Sequence, residues 1–392
     1  MRCLIYSFIF IFVVGCNEKP SKHARLDTIK IFNNDTAHYE GVFKKTETIL
    51  LETNNNCLIS KISQLDFFSG KIFVLDQNTK NIFIFDSKGH FLNRIGSIGK
   101  GPGEFIRPLQ FILNRKDSIL KIYDSAQKKI LFYNFCGKFI NEIYLNKFLS
   151  SFGEWNNGSG YWGYCAGDLN EDTRKKQKET IKFFKFNSTG QEINSYEGSK
   201  VVDNLYLKDC YITSEYNDQI FFVEPYSDKI YSFDGKKITY EYNIDFSGKF
   251  IPQRLLTRIQ KMNSKEYSNV KEINELLNSY IFFFVRFFEN DNWIYTFSPF
   301  KGTSTLYNKV NKKALTFHKQ LFKGNSYETF FWPLLLSENK MYSAPNPSQL
   351  FDLLKDDNVH KYSSERNYSL KRFLKDVKES DNPIIFIYEL NK

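Results

Sequence analysis

The chain has 392 residues and a formal net charge of +10, with 40 Phe and 24 Tyr against only 3 Met. That length holds one large domain or two ordinary ones, and the wealth of aromatic side chains favours pleated, half-buried strands over helices. The positive charge is scattered in short pieces, densest at residues 174–178, so no nucleic-acid partner is expected; the lysine excess leans instead toward an anionic membrane or glycan surface.

The first segment reads MRCLIYSFIFIFVVGCNEKPSK. Arg2 precedes an apolar run from Leu4 to Val14. A bilayer span needs about 20 residues, so this run is too short, but it suits the apolar core of a secretory signal. Val13-Val14-Gly15-Cys16 then resembles a bacterial lipobox. The resemblance implies a signal peptide over 1–15 and lipid attachment at Cys16. Asn17, where an aspartate would imply retention at the inner membrane, implies an outer-membrane lipoprotein facing the periplasm or the cell surface. Membrane contact is expected through the lipid anchor only. Residues 16–45 are polar and mixed and read as a tether. Beyond Cys3 and Cys16, the chain keeps Cys57, Cys136, Cys165 and Cys210. An exported compartment permits disulfides, and three pairings or isolated buried thiols all remain open.

A repeat follows. Residues 72–95 and 120–143 align without a gap at an offset of 48: Asp76 falls on Asp124, Ile82 on Ile130, Phe85 on Tyr133, Gly89 on Gly137 and Phe91 on Phe139. The pattern returns with more drift at 180–196, 221–244 and 292–317. A period of about 40–50 residues with three or four short strands is the signature of a propeller blade, which buries its faces only against neighbouring blades. The arithmetic permits six or seven blades. ETILLE (47–52) is a good first strand and PIIFIYEL (383–390) a good last one, so one closing blade is expected to take strands from both ends.

Between the first two blades lies RIGSIGKGPGEF (94–105), a glycine-rich stretch with Lys100. A phosphate loop of the Walker kind needs a hydroxyl after the lysine, where Gly101 stands, and a glycine five residues before Gly99, which is absent. Pro102 and the flanking strands also oppose a dinucleotide turn. The stretch therefore reads as a blade-to-blade connection. Gly96, Gly99, Gly103, Phe105 and Pro108 resemble an NHL-type connection. Residues 51–76 and the following FDSKGHFLNRIGSIGKGPGEF, with 330–347 and the closing NPIIFIYEL, resemble the six-bladed, NHL-like or TolB-like propeller lipoproteins of Bacteroides-like bacteria. The resemblance implies six blades and supplies no catalytic residues. The expected fold is all-β: a six-bladed β-propeller of four-stranded antiparallel blades over 46–392, with a short helical insertion near 252–280. There Leu255, Ile259 and Met262 form one apolar stripe and Val270, Ile273, Leu276 and Leu277 another. The insertion reads as a cap on one propeller face or as a lid over a ligand.

Chemistry is sparse. None of the five histidines pairs at metal spacing, and no G-x-S-x-G elbow occurs. Asp168, Asn170, Asp172 and Glu179 mimic a calcium loop, but Thr173 stands where glycine is required and basic residues follow, so a surface loop is expected. No metal, cofactor or catalytic residue is assigned. GEWNNGSGYWGYCAG (153–167) is the best binding candidate, with Trp155, Tyr161, Trp162 and Tyr164 as ligand-contacting residues. The same stretch also reads as a strand of the third blade with core aromatics, and Trp293 and Trp332 read as core or blade-face residues. The expected function is a lipid-anchored binding or scaffolding module for a peptide, protein or glycan; the alternative is a propeller enzyme of the lactonase, lyase or glycan-cleaving type with a metal at the central channel.

Overall fold

In the computed structural model, each repeat is a four-stranded antiparallel sheet. The structure describes residues 27–31, 42–155, 158–165, 180–200, 212–224, 227–255, 257, 279–281, 284–298, 303–318, 332–355 and 371–391. Two N-terminal strands come first, β1 (Asp27–Lys30) and β2 (Phe43–Leu50). Blade one is β3 (Gln64–Phe68), β4 (Lys71–Asp76), β5 (Asn81–Asp86) and β6 (Phe91–Ile95). After the short β7 (Ser97–Ile98) and β8 (Glu104–Phe105), blade two is β9 (Pro108–Asn114), β10 (Ile119–Asp124), β11 (Lys129–Asn134) and β12 (Phe139–Tyr144). Blade three is β13 (Ser151–Glu154), β14 (Gly160–Cys165), β15 (Thr180–Asn187) and β16 (Glu192–Lys200). Blade four is β17 (Thr213–Tyr216), β18 (Gln219–Val223), β19 (Lys229–Phe233) and β20 (Ile238–Asp245). Blade five is β21 (Arg286–Glu289), β22 (Trp293–Ser298), β23 (Thr303–Asn308) and β24 (Lys313–His318). Blade six has β25 (Leu335–Ser337), β26 (Lys340–Ser343) and β27 (Ile384–Leu390), and its fourth, outermost strand is β2.

The result is a six-bladed β-propeller. Its closure is the one expected from the two ends of the sequence: β2 pairs antiparallel with β27, from Phe43 opposite Leu390 to Leu50 opposite Ile384. The middle strands β4 and β10 are nearly continuous buried runs, because each blade is covered on both faces by its neighbours. Outer strands such as β6 alternate between sheltered and open positions, as half-buried strands do.

The aligned residues owe their recurrence to backbone satisfaction. Asp76 and Asp124 end the second strands and are fully buried. Asp124 accepts the backbone N–H groups of Ile106, Arg107, Ala126 and Gln127, and Asp76 those of Ser60, Asn78 and Thr79. At the ends of the third strands, Asp86, Asn134, Asn187, Asp234 and Asn308 each accept two N–H groups of the turn that follows. Gly89 and Gly137 sit in those turns at φ of 92° and 81°, where a side chain would be strained.

Two features were not anticipated. Helix α1 (Pro347–Lys355) enters blade six between β26 and β27 and packs Leu350 and Leu353 against Leu374, Val377 and Phe386. Within the stretch expected as tether, β1 adds a fifth strand to blade four, parallel to β20, and buries Ile29 and Ile31. The leader, Cys16 and most of the insertion lie outside the described residues; Gln253–Leu255 and Thr257 are helical.

Candidate functional site

The inner strands β3, β9, β13, β17, β21 and β25 line the axis of the ring. Alternation along a strand sends successive side chains toward opposite neighbouring blades. On β17, Thr213 faces blade three, where its hydroxyl lies 2.8 Å from that of Ser151. Ser214 faces blade five, accepting the Glu289 N–H at 2.9 Å and donating to the Glu289 carbonyl at 3.3 Å. Gln64 clasps blade two in the same way, donating to the Phe111 carbonyl at 2.7 Å and accepting its N–H at 2.8 Å. Gln110 accepts the Phe152 N–H of blade three at 3.0 Å. Polar side chains thus lock neighbouring inner strands together.

Glu215, two residues beyond Thr213, faces blade three again. Its carboxyl is pushed up to about 7, first by burial and then by the charges of Asp218 and Glu154. Glu215 is nonetheless an exposed residue of β17, so solvent screens part of this shift. The buried Trp162 lies close to this carboxyl, but its indole N–H has no hydrogen-bond partner. Its neighbour Glu154 is already engaged, 2.6 Å from the buried Lys121 ammonium. Lys121 donates to the Tyr161 hydroxyl at 3.3 Å and stands 5.1 Å from the centre of that ring.

On the other side of β17, Glu289 ends β21 in full burial. Burial pushes its carboxyl up to about 7 even though Lys309 lies 2.9 Å away, and Glu241 pushes in the same direction. Oε2 of Glu289 has no hydrogen-bond partner. Lys309 also lies 4.2 Å above the Tyr216 ring, whose hydroxyl donates to Asp291 at 2.8 Å. The sites on the two faces of β17 differ in access: Glu289 is sealed, Glu215 is open.

The four candidate aromatics lie in the first two strands of blade three and the turn joining them. Trp155, Tyr161, Trp162 and Tyr164 are 8%, 4%, 3% and 1% exposed, so none offers an open ring face. Tyr164 packs on Phe183 and Phe222, and Trp155 on Phe233. The hydroxyl of Tyr161 meets Lys121, whereas the indole N–H of Trp162 has no hydrogen-bond partner. Lys121, Glu154, Glu215 and Glu289 were not singled out from the sequence, although each is a charge set in or at the end of a strand. Trp293 is buried and donates to Asn339 at 3.3 Å; Trp332 is 53% exposed and packs one face on Phe297.

The glycine-rich connection binds its own chain. The Gly101 N–H donates to the Glu104 carboxylate at 2.8 Å, and Gln127 donates to the Gly99 and Glu104 carbonyls. Lys100 points to solvent. No disulfide links Cys57, Cys136 and Cys165. Among the described residues, no group of three or more His, Cys, Asp or Glu is placed to hold a metal ion, and no helix is long and apolar enough to cross a membrane. The calcium-like stretch 168–179 and Cys210 lie outside the described residues.

A family model described as a domain of unknown function, DUF4934, matches residues 26–389. Among solved structures, the chain is similar to a Bacteroides fragilis protein classed as exported, at 18% identity and a TM-score of 0.71, over 93% of this chain and 99% of that one. It is also similar to a Bacteroides vulgatus member of the duf4221 family, at 13% identity and a TM-score of 0.46, over 89% of this chain and 97% of that one. No curated protein matches the chain.

Proposed function

The chain belongs to the DUF4934 family, and from that premise we propose that it is an exported, lipid-anchored propeller acting as a binding or scaffolding module for a peptide, protein or glycan of the cell envelope. Export is supported by the order of Arg2, the apolar run and Val13-Val14-Gly15-Cys16, and by similarity to the exported-class protein of Bacteroides fragilis. The observation that carries the binding reading is Glu215: an ionisable group on an inner strand, open to solvent, with the unpartnered indole N–H of Trp162 close by. Of the charged groups near it, Glu154 is paired with Lys121, and Asp218 adds a further negative charge. A ligand that meets Glu215 finds a carboxyl able to donate or accept near neutral pH, a chemistry suited to amide and hydroxyl groups.

The test is a peptide and glycan array probed with protein starting at residue 17. A ligand class retained by Lys100→Ala and lost by Glu215→Gln supports the reading; identical profiles for wild type and Glu215→Gln remove the site. The same carboxyl favours a second reading, a propeller enzyme, because a group holding its proton to about 7 is suited to acid–base catalysis. Native mass spectrometry of protein purified without chelator separates the two: a stoichiometric divalent ion moves the balance to the enzyme, and a metal-free protein leaves the binding module ahead.

A further inference from the structure

The N-terminal segment meets the ring at one corner. Parallel pairing sets Asp27 opposite Tyr242 and Lys30 opposite Asp245, so β1 runs along the rim of blade four with Ile29 and Ile31 turned into the core. Asp27 is also held by Lys312, whose ammonium lies 2.9 Å from its carboxylate, and Lys312 belongs to the turn between β23 and β24 of blade five. The start of β1 is therefore fixed beside the third-to-fourth-strand turn of blade five. Residues 17–26 separate Cys16 from Asp27. Even fully extended they reach about 35 Å, so an anchor at Cys16 holds this corner, and not the far side of the ring, close to its membrane.

The corner has the composition of a surface that touches lipid. Val310, at the tip of the blade-five turn, is 75% exposed, more than any other large apolar side chain among the described residues. Lys312 and Lys313 follow it in the same turn, and Lys236 and Lys237 occupy the equivalent turn of blade four; all four are exposed. Tyr240 is 51% exposed nearby, with the Lys229 ammonium 5.2 Å from its ring centre. An apolar tip flanked by lysines can enter the headgroup layer while Lys236, Lys237 and Lys313 meet phosphates and Lys312 holds Asp27.

We propose that this corner, formed by Lys236, Lys237, Val310, Lys312 and Lys313, rests on the anionic phospholipid surface that carries the chain's own anchor. The inference rests on acylation of Cys16, which is part of the function proposed above. It fixes the attitude of the propeller: the rim between blades four and five faces the bilayer, and blades one and two, on the far side of the ring, face away from it.

The test uses the full-length acylated protein, its acyl mass verified, in vesicles of phosphatidylethanolamine with phosphatidylglycerol. In a Cys136→Ser background, an environment-sensitive fluorophore is placed at Val310→Cys, at Lys116→Cys on the far side of the ring, or at Lys100→Cys on the opposite end; the parent without an added cysteine supplies the labelling background. The expected result is a blue shift and quenching by bilayer-embedded quenchers at Val310→Cys alone. The signal should weaken in high salt and in the Lys236→Gln, Lys237→Gln, Lys313→Gln variant, while the acyl chains keep the protein on the vesicles. Acylated, vesicle-bound protein with equal or greater quenching at Lys116→Cys or Lys100→Cys, or none at Val310→Cys, overturns the orientation and leaves the anchor intact. Protein without an acylated cysteine overturns both.

Discussion

The Gly101 N–H donates to the carboxylate of Glu104, three residues further along the same loop, at 2.8 Å. The position where a phosphate would be cradled is filled by the chain's own anion. A Cβ at Gly99 would overlap that carboxylate, so the glycine serves the closure of the loop. Glu104→Ala should lower stability by about 1–3 kcal/mol, because the Gly101 N–H loses its partner in a half-buried loop. Nucleotides and inorganic phosphate should leave the melting temperature of the wild type unchanged. Thermal denaturation with and without these ligands checks both; a nucleotide-dependent rise would contradict this account of the loop.

Asp124 should be among the most sensitive single positions. Its carboxylate is fully buried and accepts four backbone N–H groups. Asp124→Ala orphans them together and should cost about 3 kcal/mol or more, whereas Asp124→Asn keeps one acceptor oxygen and should cost less. The exposed Asp117→Ala is the control, with an effect within about 0.5 kcal/mol. Denaturant midpoints measured on the three variants rank the costs.

The seam between β2 and β27 is the only described pairing that joins the two ends of the ring. Ending the chain at residue 383 removes β27, including the fully buried Phe386 and Tyr388, and opens two strand edges. The truncated protein should lose its cooperative thermal transition. A milder break, Phe386→Ala, should cost about 3–5 kcal/mol. An unchanged transition in the truncated chain would mean that the ring closes by other contacts.

Glu289 gives a pH signature with a definite sign. Its folded carboxyl is pushed up to about 7 from an ordinary 4.5. Between those values the folded protein holds a proton that the unfolded chain has released, so this group lowers stability as pH rises from about 4.5 to 7. The effect is on the order of 2–3 kcal/mol for so buried a group and levels off above that window. Glu215 has the same sign over the same window, so Glu289→Gln should reduce this slope without abolishing it; a slope unchanged from wild type would remove Glu289 as a source.

The ring was legible because its blades repeat chemistry. Asp76 with Asp124 and Gly89 with Gly137 mark the same backbone problems solved at a fixed offset, and apolar runs covered on both faces announced themselves as strands. The setting of Glu215 was not legible, because Glu215 lies in a short strand and gains its meaning from Trp162 and Glu154 of another blade. Strand β1 has only four residues, and its partner β20 is more than 200 positions away, so no local pattern reveals their parallel pairing. Helix α1 could have been found: Pro347 opens it and Leu350, Phe351, Leu353 and Leu354 form its apolar stripe. The aromatics of blade three were visible as a cluster, but composition alone does not say whether a ring lies in a cleft or between two sheets.

Strand β1 also has a mechanical consequence. Tension arriving from residues before Asp27 meets four backbone positions zipped in parallel to β20 and the Asp27–Lys312 ion pair before it can reach β2. The load is carried as shear on the rim of blade four, away from the seam that holds the ring shut. The N-terminal segment is thus a strain relief: a tug strong enough to strip β1 would leave the β2–β27 joint, and with it the ring, still fastened.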